Sequence, residues 1–240
     1  MNTSQATLEA IGLLDDEEID LADAAFHLAC QDTPPESWRP ARAHLSELAR
    51  EAARLDQPAD ALTQQAAALA ELLTTRFGYA GDSQTYEDRA NANLIRVIQR
   101  RRGLPVALGI LWIHAARAAG WQASGLDMPQ HFLVALLHQG RRLAIDPFAG
   151  GTVVSESALA RMLRRLSETP PEGTPPAPAA LAPMDNRAIL LRLQNNLLLR
   201  RLQAGEISGA IATAEGMARI APAEAPRILA RIAQLRARLN

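Results

Sequence analysis

With 240 residues, 48% of them hydrophobic and 21% charged, the chain has the composition of an ordinary soluble globular protein and the length to bury a sizeable core. A formal net charge of -1 supplies no field that would hold nucleic acid or an anionic membrane, and no apolar run reaches transmembrane length. A single cysteine, Cys30, excludes an intramolecular disulfide, and the N-terminus lacks a basic start followed by an apolar core, so the expectation is a cytoplasmic protein.

Residues 1–77 read as a helical region. Leu8, Ile11, Ile19, Leu21, Ala24, Ala25 and Leu28 recur at helical spacing and predict two short helices, or one broken near Gly12 to Asp16, ended by Asp32-Thr33-Pro34-Pro35. A second helix runs from Ser37 to about Leu55 with Trp38, Ala41, Leu45, Leu48 and Ala52 on one face. After Gln57-Pro58, a third carries Leu62, Ala66, Leu69 and Leu73 to Arg76 and closes at Phe77-Gly78.

Residues 78–168 read as the core. A glycine-rich acidic loop reaches Asp88, and helical periodicity resumes over Asn91 to Arg100. The triplet Arg100-Arg101-Arg102 reads as a solvated helix end that complements the dipole, in preference to an anion site. Pro105 occupies a first-turn position and opens an apolar helix, suited to burial on all sides, that stops at Ala119-Gly120. The period then changes to two. Ala123 to Leu126, His131 to Leu137 and Arg141 to Ile145 predict strands, and Gln139-Gly140 is a two-residue hairpin connection. Folding about it sets position 131 opposite about 148, so Asp146 lies within a residue or two of His131. A further helix is predicted over residues 155–167.

Thr169 to Pro183 is proline-rich and reads as an extended linker. Beyond it, residues 184–240 carry three helical patterns, Asp185 to Ala204, Ile207 to Ile220 and Ala223 to Leu239, split by Gly205 and Ala221-Pro222. Two antiparallel helices and a third match one helical-repeat unit with a capping helix, which must pack on the preceding domain or on a partner.

The run FGYAGDSQTYEDRANANLIRVIQRRRGLPVALGILWIHAARAAGW followed by MPQHFLVAL resembles the SirB family of transglutaminase-like proteins. The resemblance implies an α+β fold: a helical N-terminal region, a papain-like or transglutaminase-like core with a buried helix on a small antiparallel sheet, and a tetratricopeptide-like helical tail. Tyr86, Asn91, Arg102, Pro105, Pro129 and Phe132 are the candidate binding residues that carry it. The chain departs from the family pattern at Asn91-Ala92, where asparagine-serine is usual, and at Pro129-Gln130-His131, where proline-glycine-histidine is usual. The tail is also short for the family.

Active transglutaminase-like enzymes place a cysteine at the start of the central helix, where the dipole and an imidazole lower its pKa while an Asp or Asn orients the histidine. Here Arg102 to Ala107 contains no Cys, Ser or Thr, and Pro105 or its neighbour holds the nucleophile position. His131 and Asp146 match the other two members as remnants of a catalytic set, or as a structural histidine tied to a carboxylate. Cys30, in the apolar stretch AAFHLAC, reads as a small buried residue. His114, His138 and Asp127 lack metal-ligand spacing, and His27 and His44 read as ordinary helical positions, so no metal and no cofactor are expected. Three functions fit: a non-catalytic binding or scaffold module with a protein or peptide partner; a hydrolase or acyltransferase using His131 as general base and Asp146 as orienter; and a regulator acting indirectly, since no helix carries a base-reading basic face. The first fits the missing nucleophile best. The oligomeric state is left open.

Overall fold

The computed structural model describes residues 3–58, 60–128, 131–168 and 182–237. Its fold is α+β, helices with a small antiparallel sheet, as the sequence predicts. Among the described residues, no helix is long and apolar enough to cross a membrane. The chain divides into two compact units, one built from residues 1–43, 83–100 and 185–240, the other from 44–82 and 101–184. This grouping cuts across the sequential segments 1–77, 78–168 and 184–240, because apolar stripes distant in sequence complete one another. Most of the proline-rich segment, residues 169–181, lies outside the described residues.

In the second unit the sheet grows from the predicted hairpin. Strand β4 (His131–His138) pairs antiparallel with β5 (Arg141–Asp146) in the register Val134 to Ile145 and His138 to Arg141. Gln139 and Gly140 both hold positive φ, 45° and 77°, the type I′ geometry whose twist matches that of the strands. Strand β3 (Gln122–Met128) pairs with β4, β6 (Thr152–Val154) with β5, and β7 (Pro183–Met184) closes the far edge, giving the order β6-β5-β4-β3-β7. Pro183 is tolerated there because an edge strand needs no further donor. Helix α6 (Pro105–Ala118) packs on β3 and β4, and α4 (Leu62–Ala70) packs on the sheet beside it. From Val106 to Ile113 every residue of α6 is buried, so the helix has no solvent face until its last turn, where Arg117 is exposed. Gly109 lets it close on the sheet: a Cβ there would sit 2.2 Å from the ring of Phe132. The other face of the sheet carries Leu133, Ala135 and Ala144 with Leu126 and Met128 against Leu159 of α7 (Glu156–Glu168).

In the first unit, α1 (Thr3–Leu13) and α2 (Leu21–Ala29) pack with α8 (Asn186–Gln203) and α9 (Ile207–Ile220), and α10 (Ala225–Ala237) covers α9. The predicted tail is therefore helical and packs on the N-terminal helices. Its start is capped twice. Asp185 accepts from the N–H of Ala188 at 2.6 Å, and the Asp16 carboxylate, 170 residues earlier, accepts from the N–H groups of Asn186 and Arg187 at 2.8 Å each. Arg201, 7% exposed, is neutralised by Asp32 and donates to the Gly209 carbonyl at 2.8 Å. Short α5 (Leu94–Arg100) packs on α2, and α3 (Trp38–Ala52) begins in this unit and ends in the second.

Gly109→Ala lowers the unfolding free energy by about 1–2 kcal/mol in urea titration, because displacing the buried Phe132 ring outweighs alanine's gain in helix propensity. Gln139→Asn raises it by roughly 0.5 kcal/mol with an unchanged denaturant slope, since asparagine adopts the left-handed conformation more readily.

Candidate functional site

Helix α6 opens at Pro105, whose missing N–H is one that the first turn would leave unpaired in any case. Leu104 precedes it without a side-chain cap. The approach to this helix start is β2 (Arg102–Gly103), which pairs in parallel with β1 (Ala80–Gly81). Gly81 has no Cβ because the Phe148 ring would lie 2.6 Å from it, so Phe148 packs directly on this two-strand element. Pro105 itself is half-buried.

His131 is exposed and pairs across β3 with Met128. Extending the β4–β5 register by one step sets Asp146 across from Leu133, two residues along β4 from His131. Strand alternation therefore gives His131 and Asp146 one face, that of Ala135, Ala144 and α7, whereas Phe132 belongs to the face covered by α6. The Asp146 Oδ1 accepts from the N–H groups of Phe148 and Ala149 at 2.9 and 3.1 Å and fixes the loop that leads to β6.

The remaining predicted residues have these places. The Phe132 ring, 2% exposed, fills the gap between β4 and Gly109. Arg102 is exposed and donates to the carbonyls of Gly78 and Arg101 at 3.2 and 3.1 Å. Pro129 lies outside the described residues. Tyr86 and Asn91 belong to the first unit. Asn91 is fully buried; its Nδ2 donates to the Thr85 carbonyl at 2.7 Å and its Oδ1 accepts from Arg100 at 3.3 Å, which closes the loop before α5. The Arg200 guanidinium lies 5.4 Å from the Tyr86 ring centroid and donates to its carbonyl at 3.1 Å. Cys30 is buried in the first unit, and burial pushes its thiol up to about 11, so it stays protonated and weakly nucleophilic at neutral pH.

Within the arginine triplet, Arg100 and Arg102 are exposed, as expected of a solvated helix end, and Arg101 departs from that reading. Arg101 adopts φ of 56°, and this left-handed turn directs its side chain inward. Its Nη1 donates to the Tyr79 hydroxyl at 2.7 Å and lies 2.8 Å from His44 Nε2, while the Tyr79 hydroxyl reaches the same nitrogen at 2.8 Å. Tyr79 arrives through a widened last turn after α4, where the Phe77 N–H reaches five residues back to Leu72. Burial, and after it the charge of Arg101, pulls His44 down to about 4, against the opposing pull of Glu47; burial pushes the Tyr79 phenol up. His44 is thus a neutral acceptor in a buried polar cluster. Nothing in its helical spacing distinguished it from the ordinary helical position expected. Among the described residues, no group of three or more His, Cys, Asp or Glu side chains is placed to hold a metal ion.

A family model described as the transglutaminase-like superfamily matches residues 39–195. A UPF0162 protein of Xylella fastidiosa (strain Temecula1) is 36% identical over 135 residues, covering 55% of this chain and 47% of that protein. A UPF0162 protein of Vibrio cholerae is 36% identical over 93 residues, 38% of this chain and 34% of the other. One of Pseudomonas aeruginosa is 28% identical over 223 residues, 92% of this chain and 78% of the other. The chain spans about half the length of the Xylella relatives it matches. No solved structure gives a significant match.

Because His44 is held neutral, the folded state binds its proton only near pH 4 whereas an unfolded chain binds it near 6.5. This group's contribution is complete above about pH 6.5 and is lost as pH falls toward 4, amounting to about 2–3 kcal/mol. His44→Gln is expected to be less stable than the parent at pH 7 and to lose less stability between pH 6.5 and 4; equal slopes in chemical denaturation across that window would count against the assignment.

Proposed function

Because the chain belongs to the transglutaminase-like superfamily, we propose that it is a non-catalytic member whose retained architecture serves as a binding or scaffold module for a protein or peptide. The observation that carries this reading is the start of α6: Arg102 to Ala107 offers no thiol or hydroxyl, and by the family resemblance Pro105 or its neighbour holds the position where acyl-transfer chemistry needs its nucleophile. The surroundings support it. Phe148 packs on the strand element leading to the helix, and the Asp146 carboxylate holds backbone amides, the work of a loop anchor as much as of a histidine orienter. Helices α8 to α10, read as a tetratricopeptide-like element, are the part best suited to receive a peptide, and a cytoplasmic location fits the reading.

A second reading, hydrolysis or acyl transfer with His131 as general base, is favoured by one observation: an exposed His131 shares a sheet face with Asp146. The two readings separate on activity. The full chain, assayed with ester, amide and amine-transfer substrates, is expected to give no turnover above that of His131→Ala and Asp146→Asn. Turnover that falls at least a hundredfold in either variant, with unchanged melting temperature, would replace the binding module with the enzyme.

A further inference from the structure

A polar cleft of about 460 Å³ opens in the first unit among Asp32, the Asp88 to Ala92 turn, α5 and α8. It is a site independent of the reading above, and its volume falls in the range of small-molecule sites. Its floor is formed by the buried Asn93, Leu197 and Arg201; its walls carry Arg89 and Arg96.

The charges along this lining are almost, but not fully, matched. Arg201 is neutralised by Asp32 and engaged by the Gly209 carbonyl and the Thr213 hydroxyl. Arg89 is paired with Glu206. Asp88 meets Arg100 at 3.1 Å and accepts from the Ala90 N–H at 2.9 Å, which sets the turn. Arg96 stands apart: among the described residues its guanidinium meets no carboxylate, and its Nη1 donates only to the amide oxygen of Gln99 at 3.1 Å. It is half-buried, so water screens it less than it would a surface arginine. Its backbone is fixed, since the Arg96 N–H donates to Asn93 Oδ1 at 3.1 Å while Asn93 Nδ2 holds the Ala29 carbonyl at 3.1 Å. A positioned guanidinium without a counter-charge, above a floor that joins Leu197 to buried polar groups, is suited to an oxyanion attached to a small organic body. Both carboxylates of the lining already have cations, so the cleft has no ligand set for a divalent metal.

We propose that this cleft binds a small oxyanion-bearing molecule, a carboxylate or a phosphate, with Arg96 as its pairing cation. The full chain is titrated at low salt with inorganic phosphate and with succinate, followed by amide chemical shifts and calorimetry. Saturable binding of at least one probe is expected, with the largest shifts in Ala90, Asn93 and Arg96. Preference for phosphate or for succinate identifies the source of the oxyanion. Arg96→Gln weakens binding about tenfold and Arg96→Lys weakens it less, because the charge stays while the planar fork is lost. Arg219→Gln, which removes an arginine paired with Glu9 outside the cleft, leaves it unchanged. The proposal is overturned if neither probe saturates, if Arg96→Gln binds as the parent does, or if Arg219→Gln is equally weakened. Should Arg96→Gln fail to fold, the Arg96→Lys and Arg219→Gln pair decides the same question.

Discussion

The second unit depends on one helix that has nowhere to meet water over its first two turns and more. From Val106 to Ile113, α6 presents buried side chains in every direction, so its stability requires apolar surface around its whole circumference. The sheet supplies one side through β3 and β4, and α4 supplies another. The approach of helix to sheet is set by an absent atom, the Cβ of Gly109, in whose place the Phe132 ring lies. His114, the polar interruption in this helix, is satisfied through the Leu45 carbonyl at 3.1 Å. A close-packed helix of this kind fixes where its first turn, at Pro105, points.

From Arg102 to Ala107, across the start of α6, the chain has no Cys, Ser or Thr. In the same unit the Asp146 carboxylate holds the Phe148 and Ala149 amides. A buried polar cluster lies elsewhere in this unit, among Arg101, Tyr79 and His44, where burial first, and the charge of the guanidinium after it, keep an imidazole neutral. Such a cluster is sensitive to any change that removes one partner, because the others are left desolvated.

Periodicity made most of the elements legible. The buried helix from Pro105, the hairpin about Gln139-Gly140 with its register, and the three C-terminal helices were all readable, because each follows from local spacing of apolar residues and local turn chemistry. The partnerships between segments were not. Nothing in the sequence near Asp16 shows that its carboxylate caps a helix beginning at Asn186, and nothing in an arginine triplet shows that the middle residue turns left-handed and points inward. Of the candidate site, the register between the two strands that carry His131 and Asp146 was legible. The assignment of His131 and Asp146 to the sheet face away from α6 required the packing of Phe132 to be known.

The interleaving of the two units also sets an order of assembly. On a ribosome, the segments that make the second unit, residues 44–82 and 101–184, are complete before α8 exists, so its sheet and central helix can form while the first unit is still missing about half of its residues. Until Asn186 and Arg187 are made, the Asp16 carboxylate has no helix end to cap, and Asp32 has no Arg201 to neutralise it. Helices α1 and α2 precede by more than 150 residues the helices α8 and α9 on which they also pack. Contacts such as those of Asp16 and Asp32 close loops of more than 160 residues, an entropic cost that falls in the first unit.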